Sequence, residues 1–159
     1  MRAQTTIDFA IGISLFLVVA AFVIAFVPTI FAPFETTEGP GTADRIATSL
    51  ATDRLGDPAD PYTLNETCTN AFFQQLHDGT DAPRSCLYNT SADTTAALLA
   101  LDGARNVNVT IRRSDGTIAD RPGGDLAAGP TPPNTISVSS ATRAVSLSGE
   151  TRRLIVRTW

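Results

Sequence analysis

The hydrophobic pattern begins with one long apolar segment. No charged residue occurs from Phe9 to Phe34, and the part of this segment before Pro28 is 19 residues long. As an α-helix with a rise of about 1.5 Å per residue, that part nearly crosses a hydrocarbon core of about 30 Å. A cleavable secretory signal would have a shorter apolar region that ends in small residues. The pattern therefore predicts a membrane-length helix.

A second, amphipathic helix is predicted to begin at Thr42, whose hydroxyl can cap it. Its apolar face comprises Ala43, Ile46, Ala47 and Leu50. Gly39-Pro40-Gly41 is predicted to be unable to continue a helix and to form a hinge with its neighbours over residues 35–41. Gly56-Asp57-Pro58 is predicted to end the second helix, and residues 57–61 to form a turn.

Two shorter helices are predicted farther along the chain. The first covers Thr69–Leu76, where apolar residues recur at helical spacing. The second begins at Ser91 or Asp93 and runs to Leu101. The dipeptide Asp102-Gly103 would end this second helix, because glycine is favoured just after a helix C-terminus.

Beyond Gly103 the apolar residues recur with a period of two. This alternation is strict in Asn106–Arg112 and predicts a strand. The side chains expected to face a core are Val107, Val109 and Ile111. Asn108 is expected to face outward, and Ser114-Asp115-Gly116-Thr117 predicts a hairpin turn.

The C-terminal region is predicted to complete a sheet. Arg121–Pro133 is rich in Gly and Pro and predicts a surface loop. Strands are predicted over Thr135–Ser148, with a break near Ala141, and over Arg152–Thr158, joined by a turn at Ser148-Gly149-Glu150. Helices followed by an antiparallel sheet indicate the α+β class.

The charge of the region after the apolar segment limits the classes of molecule that this region is expected to bind. These 125 residues can form one domain with its own core. They carry 11 arginines and 15 acidic residues, and the whole chain has a net charge of −4 and no lysine. An acidic surface argues against nucleic acid, whose binding relies on clustered positive charge. The missing lysine and the ratio of 12 Asp to 4 Glu indicate a GC-rich, salt-adapted source, with codon bias alone as the alternative.

Charge and cysteine usage place this domain outside the cell. Arg2 precedes the apolar segment and Glu35 and Glu38 follow it, which favours a cytoplasmic N-terminus. The only cysteines, Cys68 and Cys86, enclose 17 residues. In an exported domain this favours a disulfide, worth about 3 kcal/mol, over a metal half-site that would need two more ligands. Two unrelated buried thiols are the alternative.

Three N-glycosylation sequons also indicate an exported domain. They begin at Asn65, Asn89 and Asn108. Because a chain rich in Thr and Asn generates sequons by chance, we expect one or two of them to carry a glycan. Asn108 is expected to be the most accessible, since it should face outward from its strand.

Residues with catalytic or metal-binding chemistry are few. His77, the only histidine, has no Cys or His at ligand spacing, so a structural role is expected. Asp53, Asp57 and Asp60 lack a calcium-loop pattern with its closing Glu and are expected to be solvated turn residues. No nucleophile-elbow serine or phosphate-binding glycine loop occurs. The sequence predicts no enzyme, no bound metal and no cofactor.

The stretch RAQTTIDF at residues 2–9 carries a more specific pattern. It has a basic residue, a small residue, a glutamine, a hydroxyl residue and an acid directly before the apolar helix. In that order these are Arg2, Ala3, Gln4, Thr6 and Asp8. The pattern resembles the class III signal peptide of archaeal type IV pilin-like proteins, and the composition matches a haloarchaeal source.

The resemblance implies cleavage between Ala3 and Gln4 by a membrane-embedded prepilin-type signal peptidase, and assembly with other pilin-like subunits. Asp8 would then be the fifth residue of the mature chain, where pilins usually have Glu. Its carboxylate could pair with the new ammonium group of a neighbouring subunit, which an apolar environment tolerates only in the correct register. The alternative is that Asp8 lies in the headgroup region without a role. Small residues that would let helices approach closely are Gly12, Ser14, Ala20 and Ala21.

The predicted organisation has four parts. They are a leader (1–3), a transmembrane or assembly helix (4–34), a hinge (35–41) and an extracellular α+β domain (42–159). Pro28, Pro33 and Gly39-Pro40-Gly41 are expected to interrupt the long helix, which favours a minor pilin or pseudopilin over a major structural pilin. The protein would lie in the cell membrane or, after processing, in an extracellular filament. The alternative function is an uncleaved, single-pass surface protein whose domain binds a sugar, an ion or an envelope partner.

Overall fold

The computed structural model describes residues 2–35, 38–101 and 105–159. The chain divides into two compact units, Met1–Glu38 and Gly39–Trp159. The first contains the helix α1, Arg2–Glu35. The second contains short helices and a curled, mostly antiparallel C-terminal sheet. The predicted α+β class is confirmed.

Helix α1 includes Pro28 and Pro33 within its backbone. The prediction that these prolines interrupt the helix is therefore wrong. A proline removes one donor from the ladder of backbone hydrogen bonds, and an apolar helix tolerates that loss because the remaining ladder stays in place. These two prolines consequently no longer favour a minor over a major pilin.

Helix α2, Glu38–Ser49, contains Gly39-Pro40-Gly41 in its first turn, so the prediction that this tripeptide cannot continue a helix is wrong. The first-turn N–H groups have no partner inside a helix, and proline is tolerated there. Thr42 is buried inside α2 instead of capping it, and its Oγ1 accepts a hydrogen bond from Arg105 Nη1 (2.9 Å). Residues 36 and 37 of the predicted hinge lie outside the described residues.

The predicted apolar face of α2 is confirmed. Its buried residues are Ala43, Ile46, Ala47 and Leu50. One π-helical turn, Leu50–Arg54, follows and ends before Gly56, as predicted. Two strands that the sequence did not predict, β1 (Gly56–Asp57) and β2 (Asp60–Leu64), occupy the expected turn. Pro61 within β2 and Pro58 between the two strands hid the pattern, because proline is rare within strands except at edges.

Helix α3, Glu66–Asp78, confirms the predicted helix and extends it at both ends. The side chain of Asn65 caps it by accepting a hydrogen bond from Cys68 N (3.0 Å). Helix α4, Thr95–Leu98, is much shorter than the predicted helix that runs to Leu101. The expected stop at Asp102-Gly103 lies outside the described residues.

The sheet contains three long strands and several short ones. The long strands are β3 (Val107–Arg112), β7 (Ser139–Leu147) and β8 (Glu150–Thr158). The short strands that remain are β4 (Asp120–Arg121), β5 (Gly124–Asp125) and β6 (Ala127–Ala128). The main sheet has the order β1-β2-β7-β8-β3-β6, and only its β2–β7 pair is parallel. The predicted loop Arg121–Pro133 thus contains strands, and β7 has no break at Ala141.

One face of the sheet, here called the inner face, packs against the helices. Val109, Val156 and Ala141 are register partners across β3, β8 and β7, and all three are buried on this face. The core side chains that bury most volume include Phe72, Phe73, Leu50, Leu98, Ile111 and Leu154. Arg143 Nη2 lies 2.6 Å from Asp44 Oδ1 and ties β7 to α2. The predicted inward-facing valines and isoleucine of β3 are confirmed.

Candidate functional site

The surface of α1 over Phe9–Phe26 is apolar on all sides. Residues Ile7–Phe26 form a helical stretch of 20 residues with a mean hydropathy of 2.8, and none of it is buried. Large side chains such as Phe9 (71% exposed) and Ile24 (72% exposed) face outward. Exposed apolar area of this size is costly in water, because about 25 cal/mol is lost for each Å² left uncovered. The helix therefore fits a membrane anchor or a signal sequence.

One carboxylate lies at the N-terminal end of this apolar surface. Asp8 is exposed and makes no hydrogen bond or ion pair with the described residues. The backbone of Arg2, Ala3, Gln4 and Thr6 is helical and belongs to α1. The backbone of the stretch RAQTTIDF thus lies in one continuous helix.

The small residues of α1 differ in what they offer a neighbouring helix. A methyl group added at Gly12 would meet nothing within 4 Å, so this position leaves the helix surface open to close approach. Ser14 Oγ donates to Ala10 O at 2.7 Å, which satisfies the hydroxyl within its own helix. Gly12 therefore offers space, and Ser14 offers a small side chain without a free donor.

The predicted disulfide is present in the second unit. Cys68 in α3 is bonded to Cys86, with the Cα atoms 5.5 Å apart. Tyr88 also holds the segment after α3 against this helix. Its hydroxyl donates to Cys68 O (2.8 Å), and its ring packs edge-on against Phe72, with the ring centroids 5.5 Å apart. Burial raises the pKa of Tyr88 well above its usual range, so the hydroxyl stays protonated as a donor. The segment after α3 is thus held against the core covalently and by packing.

Two of the three sequons are accessible. Asn65 and Asn89 are both exposed. Asn65 Oδ1 is occupied as the cap of α3, and its amide nitrogen can still face solvent. Asn89 Oδ1 accepts from the backbone N and the Oγ of Ser91, at 3.2 and 3.3 Å, which folds this sequon into a local turn. These two asparagines can be reached by a modifying enzyme.

The third sequon corrects the prediction of an outward-facing site. Asn108 is only 7% exposed. Its Nδ2 donates to Ala128 O (3.3 Å) and Gly129 O (3.4 Å), and its Oδ1 accepts from Arg157 Nη1 (3.4 Å). Its side chain does leave β3 on the side away from the valines, as alternation requires, and there it meets the chain at the end of β6. Asn108 is therefore the least accessible of the three, not the most.

The other candidate residues occupy surface positions. His77 is 69% exposed near the end of α3, with Nε2 3.7 Å from Asp78 Oδ1. Asp53, Asp57 and Asp60 are exposed, and Asp57 Oδ1 accepts from Ala59 N (2.9 Å). Among the described residues no group of three or more His, Cys, Asp or Glu side chains could hold a metal ion. The three aspartates are therefore solvent-exposed, as expected, but Asp57 belongs to β1 and Asp60 to β2 and not to a turn.

A cavity of about 460 Å³ was not foreseen from the sequence. It lies between α4 and the start of β3, and its lining residues include Asp93, Thr94, Thr95, Arg105, Asn106 and Gly129. These residues are separated by up to 36 positions in the chain, so no local motif marks them. Its wall combines an acid, a guanidinium and hydroxyl groups, which can hold a small polar molecule.

The comparisons with known proteins give a family and no function. A family model, described as a family of unknown function (DUF7287), matches residues 1–159. No curated protein and no solved structure is significantly similar to the chain. The match includes both the apolar helix and the disulfide-bonded domain. The chain therefore belongs to the DUF7287 family.

Proposed function

We propose that this chain is a pilin-like subunit of an archaeal type IV filament or a related cell-surface assembly. Its hydrophobic helix packs in the membrane before assembly and in the filament core afterwards, and its disulfide-bonded domain lies outside the cell. A prepilin-type signal peptidase removes residues 1–3 and makes Gln4 the new N-terminus.

The observation that carries this proposal is the apolar surface of α1 with a single acid at one end. Residues Ile7–Phe26 are exposed on every side, so lipid or other helices must cover them. An anchor gains nothing from Asp8, which has no partner among the described residues. In an assembly helix the carboxylate specifies the register, because it finds a partner only when a neighbouring helix is correctly aligned.

Electrostatics explains why the acid lies four residues after the new N-terminus, Gln4. Cleavage between Ala3 and Gln4 creates an ammonium group at the end of an apolar helix. An isolated charge in a medium of low dielectric costs several kcal/mol, and a partner of opposite charge offsets much of that cost. Pairing Asp8 of one subunit with Gln4 of the next therefore penalises every other register. The acid specifies alignment more than it adds stability.

Processing can be tested by the mass of the mature chain. The protein is isolated from membranes and from sheared filaments, and its N-terminus is determined by intact-mass measurement and N-terminal sequencing. We expect Gln4 as the first residue. Recovery only of chains that begin at Met1 or Arg2 would reject processing and favour an uncleaved membrane-anchored surface protein.

Assembly can be tested separately by changing Asp8. Asp8→Ala should leave cleavage and membrane insertion largely intact and lower incorporation into filaments. Asp8→Glu keeps the negative charge and should therefore retain most of the incorporation into filaments. Thr5→Ala serves as a control, because it alters a neighbouring position without altering charge. If correctly processed Asp8→Ala entered filaments as well as the unchanged protein does, the pairing argument would be wrong.

A further inference from the structure

The sheet has a second, outer face, which is buried at Asn108 and Thr110 of β3 and exposed along much of β7 and β8, at Ser140, Thr142, Thr151 and Arg153. The register places its side chains in four rows across β7, β8 and β3. From one end, the rows are Ser146 and Thr151; Ala144, Arg153 and Arg112; Thr142, Ile155 and Thr110; and Ser140, Arg157 and Asn108. Thr63 of β2 extends the first row. Most positions on this face therefore carry a hydroxyl, an amide or a guanidinium group.

Three arginines give this outer face a positive charge. Arg112, Arg153 and Arg157 lie on it, and none of the strand positions in its four rows is acidic. Arg112 and Arg153 are direct register partners, and like charges in that position destabilise a sheet. The chain nevertheless places these two arginines together. It does so although it contains more acids than arginines, 16 against 12.

The guanidinium groups of these arginines meet neutral oxygens only. Arg112 Nη1 donates to Gly116 O (2.8 Å), Arg153 Nη2 lies 3.4 Å from Arg113 O and Ser114 O, and Arg157 Nη1 donates to Asn108 Oδ1 (3.4 Å). No carboxylate among the described residues pairs with any of the three. Each retains positive charge that an outside anion can meet.

Three arginines elsewhere in the domain pair with carboxylates, whereas Arg54 and Arg121 donate to neutral oxygens only. Arg113 pairs with Asp120, Arg143 with Asp44, and Arg152 with Glu150. Arg152 is the most informative of these, because it is the neighbour of Arg153 in β8 and points to the inner face. The two neighbouring arginines of β8 therefore differ: Arg152 pairs with a carboxylate on the inner face, and Arg153 contacts only backbone oxygens on the outer face.

We propose that the outer face binds an acidic polysaccharide, with Arg153 and Arg157 holding its carboxylate or sulfate groups. A guanidinium binds such groups with two parallel hydrogen bonds. The two arginines are four residues apart on one strand, about 13 Å, so they contact separate anionic groups of an extended polymer. Hydroxyls of Ser140, Thr142 and Thr151 can bond sugar hydroxyls between them. The inference holds for an anchored protein and for a filament subunit, and so does not depend on the proposed function.

The composition of the face favours a polysaccharide over other partners. Its one large apolar side chain, Ile155, is half-buried, whereas protein interfaces centre on buried aromatic and apolar anchors. No aromatic side chain occurs in its four rows, and stacking on aromatics supports the binding of single-stranded nucleic acid. An array of hydroxyls and guanidinium groups matches a hydroxylated, anionic chain.

The test measures binding of the full chain in detergent micelles to polygalacturonate and to dextran sulfate, with neutral dextran as the uncharged comparison. We expect binding to one or both acidic polymers and none to dextran. Arg153→Gln and Arg157→Gln should each weaken binding about fivefold, and the double variant about twentyfold. Arg152→Gln is the matched control, with the same charge change on the same strand and the opposite face. It should change affinity less than twofold.

Three results would overturn the proposal. If Arg152→Gln weakened binding as much as Arg153→Gln, net charge and not this face would be responsible. If single-stranded DNA bound more tightly than either acidic polymer, the face would be a nucleic-acid surface. If the double variant changed only the self-association of the protein, measured by light scattering, a second copy of the chain would be the partner. Circular dichroism of each variant separates loss of binding from loss of folding.

Discussion

Replacing Gly129 by alanine tests how the end of β6 is held against β3 and α4. Gly129 has a φ of +84°, and a Cβ atom there would lie 2.0 Å from Val107 O and 2.9 Å from Thr95 Oγ1. The positive φ alone costs about 1–2 kcal/mol for a residue with a side chain. Overlap with a backbone oxygen forces the strand to shift, at a further cost of about 1–3 kcal/mol. We expect a loss of about 3 kcal/mol or more in the free energy of unfolding.

Two other glycines separate these contributions. Gly79 has a φ of +68° and nothing within 4 Å of an added Cβ, so Gly79→Ala should cost only about 1 kcal/mol. At Gly56 an added Cβ would lie 2.2 Å from Ala51 O without a positive φ, so Gly56→Ala measures overlap alone, about 1–3 kcal/mol. Gly129→Ala should be the most destabilising of the three.

The assay is guanidinium unfolding of the full chain in detergent micelles. Fluorescence of Trp159, the only tryptophan, reports on the domain, because its backbone N and O bond to Asn106 at 3.2 and 3.1 Å. A lower transition midpoint with an unchanged slope indicates reduced stability. If Gly129→Ala were no more destabilising than Gly79→Ala, the close approach of β6 to β3 would not be a constraint, and the reasoning would be refuted.

Three further predictions concern the disulfide, the buried sequon and acid stability. Replacing Cys68 and Cys86 by serine should lower the free energy of unfolding by about 3 kcal/mol, and dithiothreitol should then have no further effect in the same unfolding assay. Peptide mass spectrometry should find no glycan at Asn108, and Asn108→Ala should cost about 1–3 kcal/mol in the same assay, because it leaves buried partners unpaired. Hydrogen bonds from Thr117 hold the pKa of Asp115 below its ordinary value of 3.8. The stability that this group contributes is present above the unfolded-state pKa and is lost as pH falls through the folded-state value, so unfolding scans should show the unchanged protein losing more stability than Asp115→Asn below about pH 4.

The features that the sequence predicted correctly are those that depend on local periodicity. A face of α2 that recurs at helical spacing, and a strand β3 that alternates strictly, must each turn their apolar residues toward a core. The pairing of Cys68 with Cys86 could be predicted because the chain contains no other cysteine. The length of the apolar part of α1 followed directly from its composition.

The errors occurred where the outcome depended on residues distant in the chain. Alternation correctly put Asn108 on the side of β3 opposite the valines, but only the fold brings the carbonyl groups of Ala128 and Gly129 to cover it. Pro28 and Pro33 were expected to break α1, because a proline removes a hydrogen bond. That local loss is small against the rest of the ladder in a long apolar helix.

The sequence by itself determined that the chain has a membrane-length apolar helix, an acid at its start and a separate disulfide-bonded α+β domain. Each of these properties depends on composition or short-range spacing, which the chain carries in any fold. Only the tertiary structure decided that Asn108 is buried and that Arg112, Arg153 and Arg157 share one face without an acid. Those outcomes depend on strand register, which brings Asn108 beside Arg157, 49 positions away, and local periodicity does not specify it.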